Sequence, residues 1–157
     1  MGLEPLETAE GHAAPHAWQI STFLENKVGE LVRLAKVFEG TDIRILSLSI
    51  VNSVDCAIVR LLVDHAEKAE RIIRQAGFAA SMSEVLVVEL PPGKTGLLSI
   101  CAALLAAEVN IHDAYPLLAR PRERSALVLV VDDLEAAASI LRAKKFVVLD
   151  ESDLRQW

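Results

Sequence analysis

Hydrophobic residues along the chain recur with two periods, one typical of strands and one typical of helices. In the first half, a helical stripe over 31–38 ends at Gly40, and a second stripe over 69–76 ends at Gly77. Asp64 stands where the second of these helices would be capped. Alternating or β-branched runs predict strands at 18–24, 43–51, 56–63 and 79–83.

The second half of the chain repeats this order of elements. Residues 61–69 read LLVDHAEKA and residues 129–137 read LVVDDLEAA, an offset of 68 positions that also relates Phe78 to Phe146. Self-similarity over about 65 residues indicates a duplicated domain rather than a short solenoid repeat. The repeat predicts helices at 97–107 and 134–143 and strands at 84–90, 110–118, 125–131 and 146–149.

Two βαββαβ sequences with short loops predict an α+β fold. We expect two tandem ferredoxin-like units, each an antiparallel sheet with its helices on one face. The first unit spans 18–83, and the second spans 84–157 with a short C-terminal tail.

Residues 1–17 show no hydrophobic period and are rich in Glu, Ala, Gly and Pro, which predicts a disordered tail. This stretch has no basic region followed by an apolar one and is therefore no signal peptide. His12 and His16 are four positions apart, but Pro15 between them disfavours the helix that would bring them together. We expect no metal site there.

Composition excludes several classes of partner. A net charge of −6 and an aromatic content of 4% argue against nucleic-acid binding. Two cysteines cannot form a disulfide framework, so a reduced, cytoplasmic protein is the simplest interpretation. The mean hydropathy of +0.34 is high for so small a chain, yet no apolar run is long enough to span a membrane.

The sequence carries no strong catalytic motif. Gly93-Lys94-Thr95 lies between a strand and a helix as a phosphate-binding loop would, but Val88 stands where that motif needs glycine. Cys56 and Cys101 are predicted to be small buried hydrophobic residues, although a Cys/His pair formed by the fold stays open. We expect no cofactor and no enzymatic activity. A small ferredoxin-like acyl-phosphate hydrolase is the distant alternative, and neither glycine turn holds the arginine it would need.

The glycine turns resemble those of a known family. The first unit has Asn26-Lys27-Val28-Gly29-Glu30-Leu31, with a strand start at Gly40-Thr41-Asp42-Ile43. The second unit has Gly93-Lys94-Thr95-Gly96-Leu97-Leu98, with a strand start at Glu108-Val109-Asn110-Ile111. Together with the repeated topology, these segments resemble tandem ACT domains, which are regulatory modules that bind amino acids. The usual loop proline is replaced by Val28 and Thr95.

The resemblance implies a set of ligand-binding residues. A loop that ends in glycine lets the backbone approach a ligand, and the helix that follows offers N–H groups to a carboxylate. In such pairs the loop of one unit faces the strand start of the other, so Asn26 would face Asn110 in an intact site and Gly93 would face Asp42 in an altered one. The expected ligand-binding residues are Asn26, Lys27, Val28, Gly29, Asp42, Gly93, Lys94, Thr95, Gly96 and Asn110. The competing interpretation is that these residues only shape tight turns.

We therefore expect a non-catalytic sensor or regulatory subunit that binds a small amino acid and acts through the packing of its two units. Its partner would be an enzyme or transporter of amino-acid metabolism. The alternative is a ligand-free oligomerisation or docking module that has kept only the fold. Helix 97–107 is apolar on every side apart from Ser99, which predicts a homodimer with this helix at or near an interface.

Overall fold

The computed structural model describes residues 16–120 and 123–156. Most of the predicted N-terminal tail, residues 1–15, lies outside this description, whereas Ala17 is buried at the start of the first strand. The described residues form these elements in chain order: β1 Ala17–Glu25, α1 Glu30–Lys36, β2 Ile45–Asn52, β3 Cys56–Val63, α2 Ala66–Gln75, β4 Ala79–Glu89, α3 Gly96–Ala106, β5 Ile111–Pro116, β6 Ala126–Val131, α4 Leu134–Ala143, β7 Val148–Leu149 and α5 Glu151–Arg155.

The strands form one antiparallel sheet in the order β2-β3-β1-β4-β6-β5, and β7 pairs with β4. The first part of β4 pairs with β1, and its last part pairs with β6 and β7. Each half of the chain therefore has the strand order of a ferredoxin-like unit, which confirms the predicted fold class. The strands predicted at 79–83 and 84–90 are a single strand, and both units use it.

Three hydrophobic clusters hold the molecule together. One lies under α1 and α2, and a second lies under α3 and α4. The third contains no residue of these four helices: Leu46 and Leu62 of the first unit meet Tyr115 and Val128 of the second. Each sheet half is thus covered by helices on one face and by the other unit on the opposite face. This double burial accounts for strands that are apolar on both faces.

Asp64 does not cap α2 as the sequence predicts. Its carboxylate accepts hydrogen bonds from Arg44 N at 3.0 Å and Arg44 Nε at 3.2 Å, and His65 stands at the helix N-cap without accepting a hydrogen bond from the first turn of the helix. Burial alone would raise the pKa of Asp64, but these bonds, together with that to His65, hold it below its usual value. The carboxylate therefore fixes the entry to β2 instead of the start of the helix.

The C-terminal residues, predicted as a tail, form the helix α5. Asp150 and Asp153 close a reciprocal capping box at its start. Leu154 is fully buried in the hydrophobic cluster between the two units, and Glu151 Oε1 accepts a hydrogen bond from Ala66 N at 3.1 Å. Arg155 Nε also donates to Asp64 O at 3.2 Å. The end of the second unit is therefore attached to the start of α2 in the first.

One burial prediction is wrong: Cys56 and Cys101 are half-buried free thiols rather than buried ones. In helix α3, Leu97, Leu98 and Leu105 are 54%, 67% and 77% exposed, so the chain itself does not cover the outer side of this helix. The predicted homodimer with α3 at its interface would cover these leucines, and it stays a prediction.

Candidate ligand-binding site

The first glycine loop lies beside the β2–β3 hairpin of its own unit. Gly29 has a φ of 90° immediately before α1, a conformation that few other residues adopt. Asn26 and Lys27 line a cavity of about 230 Å³. Ile50 and Asn52 of the hairpin line it from the opposite side. The Val28 side chain is fully exposed at the tip of the loop and is not among the residues that line this cavity.

Charged groups in this loop are already paired. Lys27 forms an ion pair with Glu25, and their hydrogen bond lowers the pKa of Glu25 and raises the pKa of Lys27. Glu30, the first residue of α1, pairs with Arg33 at 3.3 Å. The groups of this cavity that are left to meet a ligand are therefore chiefly the amides of Asn26 and Asn52.

The second glycine loop lines a larger cavity of about 400 Å³ between Leu90–Gly93 and the segment 123–125. Gly93 has a φ of 97°. Lys94 and Thr95 are exposed, and the first turn of α3 has no side-chain cap. A Cβ at Gly96 would lie 2.3 Å from the Pro91 carbonyl oxygen. The space at Gly96 is therefore filled by the chain itself rather than left open for a ligand.

The two strand-start residues have different partners, a helix in the first unit and the end of β6 in the second. Asp42 is exposed and pairs with Lys68 of α2, whose hydrogen bond lowers the pKa of Asp42. Asn110 N donates to Asp132 Oδ1 at 2.9 Å. In each unit the strand start thus lies at the opposite end of the sheet from the glycine loop.

Strand registers show how the two units are oriented toward each other. The start of β4 lies beside Phe23, near the first loop, whereas its end leads into the second loop. Because β6 pairs only with the last part of β4, Asn110 and Asp132 lie toward the first loop along the sheet. The described contacts of Asn26 and of Asn110 are with their own units. Sites shared between units therefore stay a prediction.

Polar pairs connect the units between the two loops. Arg60 of β3 forms an ion pair with Asp113 of β5. The Tyr115 hydroxyl donates to Gln19 Oε1 at 2.6 Å, and burial raises the pKa of this tyrosine. Leu118 N also donates to a β2 carbonyl at 2.7 Å. These contacts would change if the units moved against each other.

The sequence did not identify the charged residues that line the second cavity and its neighbour. Glu123 and Arg124 line the larger cavity, while Lys145 and Arg124 line an adjoining one of about 130 Å³. One signal was available: Lys145 stands 68 positions after Gly77, where the repeat would place a glycine.

Two features are absent from the part of the chain that the structure describes, a metal-binding cluster and a membrane-spanning helix. Within residues 16–120 and 123–156, no cluster of His, Cys, Asp and Glu side chains has the grouping that a metal ion needs. No helix in these same ranges has the length and hydropathy needed to cross a bilayer.

Comparison with known proteins gives consistent matches. The sequence profile of a family described as an ACT domain pair matches residues 16–157. The crystal structure of protein BT0572 from Bacteroides thetaiotaomicron has a TM-score of 0.82 and 27% identity, covering 90% of this chain and 97% of that chain. Among curated proteins, no sequence matches.

Two structures of the regulatory subunit of aspartate kinase share the fold alone. The ligand-free form from Thermus thermophilus has a TM-score of 0.58 and 14% identity, covering 83% of this chain and 92% of that chain. The subunit from Thermus flavus has a TM-score of 0.52 and 12% identity, covering 83% of this chain and 94% of that chain.

Proposed function

The chain belongs to the ACT domain pair family, and from this we propose that it is a non-catalytic regulatory protein that binds a small amino acid. The proposed units are 18–83 and 84–157. The fold it shares with regulatory subunits of aspartate kinase supports a regulatory role. A cytoplasmic location and a partner enzyme or transporter of amino-acid metabolism are parts of the same proposal.

One observation carries the proposal: each glycine loop lines a cavity next to the hairpin of its own unit. The larger cavity, at about 400 Å³, lies within the range of small-molecule sites. The smaller one, at about 230 Å³, presents two asparagine amides that can both donate and accept hydrogen bonds. An amino acid needs donors for its carboxylate and acceptors for its ammonium group, and these cavities offer both.

The proposed mechanism is a shift between packings of the two units. A ligand that prefers one packing stabilises it, and a partner that contacts both units detects the change. The Arg60–Asp113 ion pair and the Tyr115–Gln19 hydrogen bond are the contacts that such a shift would rearrange.

Thermal-shift measurements with each of the twenty amino acids test the proposal. We expect one ligand, or a few that are chemically related, to raise the melting temperature by several degrees. In calorimetry with that ligand, Asn26→Ala and Asn110→Ala should weaken the same site if the units share it. Gln75→Ala, at the exposed end of α2, is the matched control and should bind like the unchanged protein. The absence of a shift with every amino acid would contradict ligand sensing.

The second candidate function is that of a docking or oligomerisation module without a ligand. It is favoured by the exposed leucines of α3, with Leu98 at 67% and Leu105 at 77% exposure. We propose a homodimer with α3 at its interface. Light scattering at micromolar concentration should give the dimer mass, and Leu105→Glu should give the monomer mass. A strict monomer before substitution would contradict the dimer.

A further inference from the structure

Two adjoining cavities at the end of β4 share one wall. Leu90, Pro91, Pro92 and Arg124 line both of them, at about 400 Å³ and about 130 Å³. Because Pro91 and Pro92 have no N–H groups, this wall has few backbone hydrogen-bond donors for a negatively charged ligand. Binding of an anion here would therefore depend on side chains.

Lys145, which lines the smaller cavity, is held in the left-handed conformation with a φ of 64°. It follows the C-cap of α4, where Lys145 N donates to Arg142 O and Phe146 N donates to Leu141 O, each at 2.9 Å. Glycine is the usual residue at this position of such a helix end. The equivalent residue of the first unit is indeed Gly77, with a φ of 92° and the matching pair of hydrogen bonds.

The second unit therefore keeps a strained lysine where the first unit has an unstrained glycine. Strained residues persist only where the surrounding structure holds them in place, and they cluster at functional sites. Glu123, with a φ of 61°, is a second non-glycine residue in this conformation, and it lines the larger cavity. Two of the three such residues in the described ranges thus lie at this pair of cavities.

We propose that the paired cavities bind an acidic amino acid, with Arg124 and Lys145 holding its two carboxylates and Glu123 facing its ammonium group. A guanidinium group matches a carboxylate with two parallel hydrogen bonds. Among the described residues, the side chains of Arg124 and Lys145 make no hydrogen bond or ion pair, so both cations can meet a ligand. The three proposed groups carry one net positive charge, and glutamate or aspartate carries one net negative charge.

This inference rests on the proposed function and specifies its ligand. In the first unit the cavity has Glu25 and Glu30 at its rim, and its one cation, Lys27, is already paired with Glu25. An acidic ligand would be repelled there and attracted at Arg124. Glu89 also lines the smaller cavity, but it is buried and already engaged in an interaction, so it is not assigned a role.

Calorimetry on the full chain tests the proposal with L-glutamate and L-aspartate, compared with L-glutamine and L-asparagine. We expect at least one acidic amino acid to bind at least tenfold more tightly than its amide. Arg124→Gln should weaken that binding at least tenfold. Lys145→Gly should weaken it about tenfold and yet raise the melting temperature by about 2–4 °C, because glycine relieves the strain.

Glu108→Gly is the matched control. Glu108 has a φ of 55° at the end of α3, where the first unit has Gly40, but it does not line either cavity. This substitution should raise the melting temperature to a similar extent and leave the affinity unchanged. If Lys145 had only a structural role, Lys145→Gly would raise the stability without changing the affinity, as Glu108→Gly should. A loss of affinity in Lys145→Gly alone therefore indicates that the lysine side chain binds the ligand.

The inference is overturned if neither acidic amino acid binds, if the amides bind equally well, or if Arg124→Gln or Lys145→Gly binds like the unchanged protein. A neutral amino acid that binds in an Asn26-dependent manner, without binding of the acidic ones, would overturn this inference and leave the proposed function standing. The absence of binding by all twenty amino acids would overturn both.

Discussion

The two units begin their second helices in different ways. In the second unit, Asp133 is the residue just before α4, and its carboxylate caps the helix by accepting a hydrogen bond from Ala136 N at 3.0 Å. In the first unit His65 stands at the equivalent position, and Ala66 N instead donates to Glu151 of α5. The helix of the first unit is thus completed by the C-terminus of the second. A contact between the units thus stands at the start of α2, which suits a protein proposed to act through the packing of its units.

Another contact is the same in both units. Asp64 Oδ1 accepts from Arg44 N at 3.0 Å, and Asp132 Oδ1 accepts from Asn110 N at 2.9 Å. Each aspartate follows the third strand of its unit and fixes the entry of the second strand. The two units therefore use the same contact to position their second strands, whereas the starts of their second helices differ, and in the first unit that start contacts the second unit.

The largest expected effect comes from the residue that docks α5. Leu154 is fully buried in the cluster between the two units. Leu154→Ala should lower the free energy of unfolding by about 3 kcal/mol, through lost burial and the cavity it leaves. Urea denaturation measures the change, and Val54→Ala, at an exposed position in the β2–β3 turn, should stay within about 0.5 kcal/mol. A similarly small effect for Leu154→Ala would mean that α5 does not join the units.

The two loop glycines should differ in their tolerance of a side chain. Alanine at position 96 would clash with the Pro91 carbonyl oxygen, so Gly96→Ala should destabilise the protein by about 2 kcal/mol. A Cβ at position 29 meets no atom within 4 Å, so Gly29→Ala should destabilise the protein by only about 1 kcal/mol, the cost of holding alanine in the left-handed conformation. Thermal unfolding of both variants gives the order. The reverse order would show that the loops are packed differently.

The two helix caps allow a matched pair of substitutions. Glu151→Ala and Asp133→Ala should each destabilise the protein by about 1 kcal/mol. Hydrogen exchange separates them: Glu151→Ala should lower the protection of the α2 amides, and Asp133→Ala that of the α4 amides. Loss of protection in α4 on Glu151→Ala would contradict the cross-unit cap.

The smallest expected effect is a dependence of stability on acid. The pKa of Asp64 is below its ordinary value of 3.8 in the folded protein, so its ionised form stabilises the fold above that pH. This contribution should be lost as the pH falls from about 4 through the lowered pKa. Asp64→Asn should flatten the acid limb of a plot of unfolding free energy against pH. An unchanged acid limb would show that Asp64 contributes nothing to it.

Local signals made much of the fold predictable. Helix α4 has the predicted bounds, Leu134–Ala143, because its apolar stripe, its cap and the repeat all lie close together in the sequence. The cap on α2 was not predictable, since Glu151 lies 85 positions from Ala66. The prediction from sequence divides β4 into two strands, at 79–83 and 84–90. Each unit is there assigned a separate strand, because no residue pattern marks a strand that two units share.

The candidate site was predictable only in part. Turn glycines such as Gly29 and Gly93 were found because a positive φ leaves a sequence signal. Arg124 and Lys145 looked like ordinary surface charge, and only the fold brings them to one cavity wall. The sequence also could not reveal that the Pro91 carbonyl occupies the space at Gly96.

The central claim is that this ACT domain pair binds an amino acid at its glycine-loop cavities. The most direct test is a crystal structure grown with the amino acid that gives the largest thermal shift. The account predicts electron density for the ligand against Asn26–Gly29 or against Gly93 and its neighbouring cavity wall. Ligand density elsewhere, with both loop cavities empty, would contradict it.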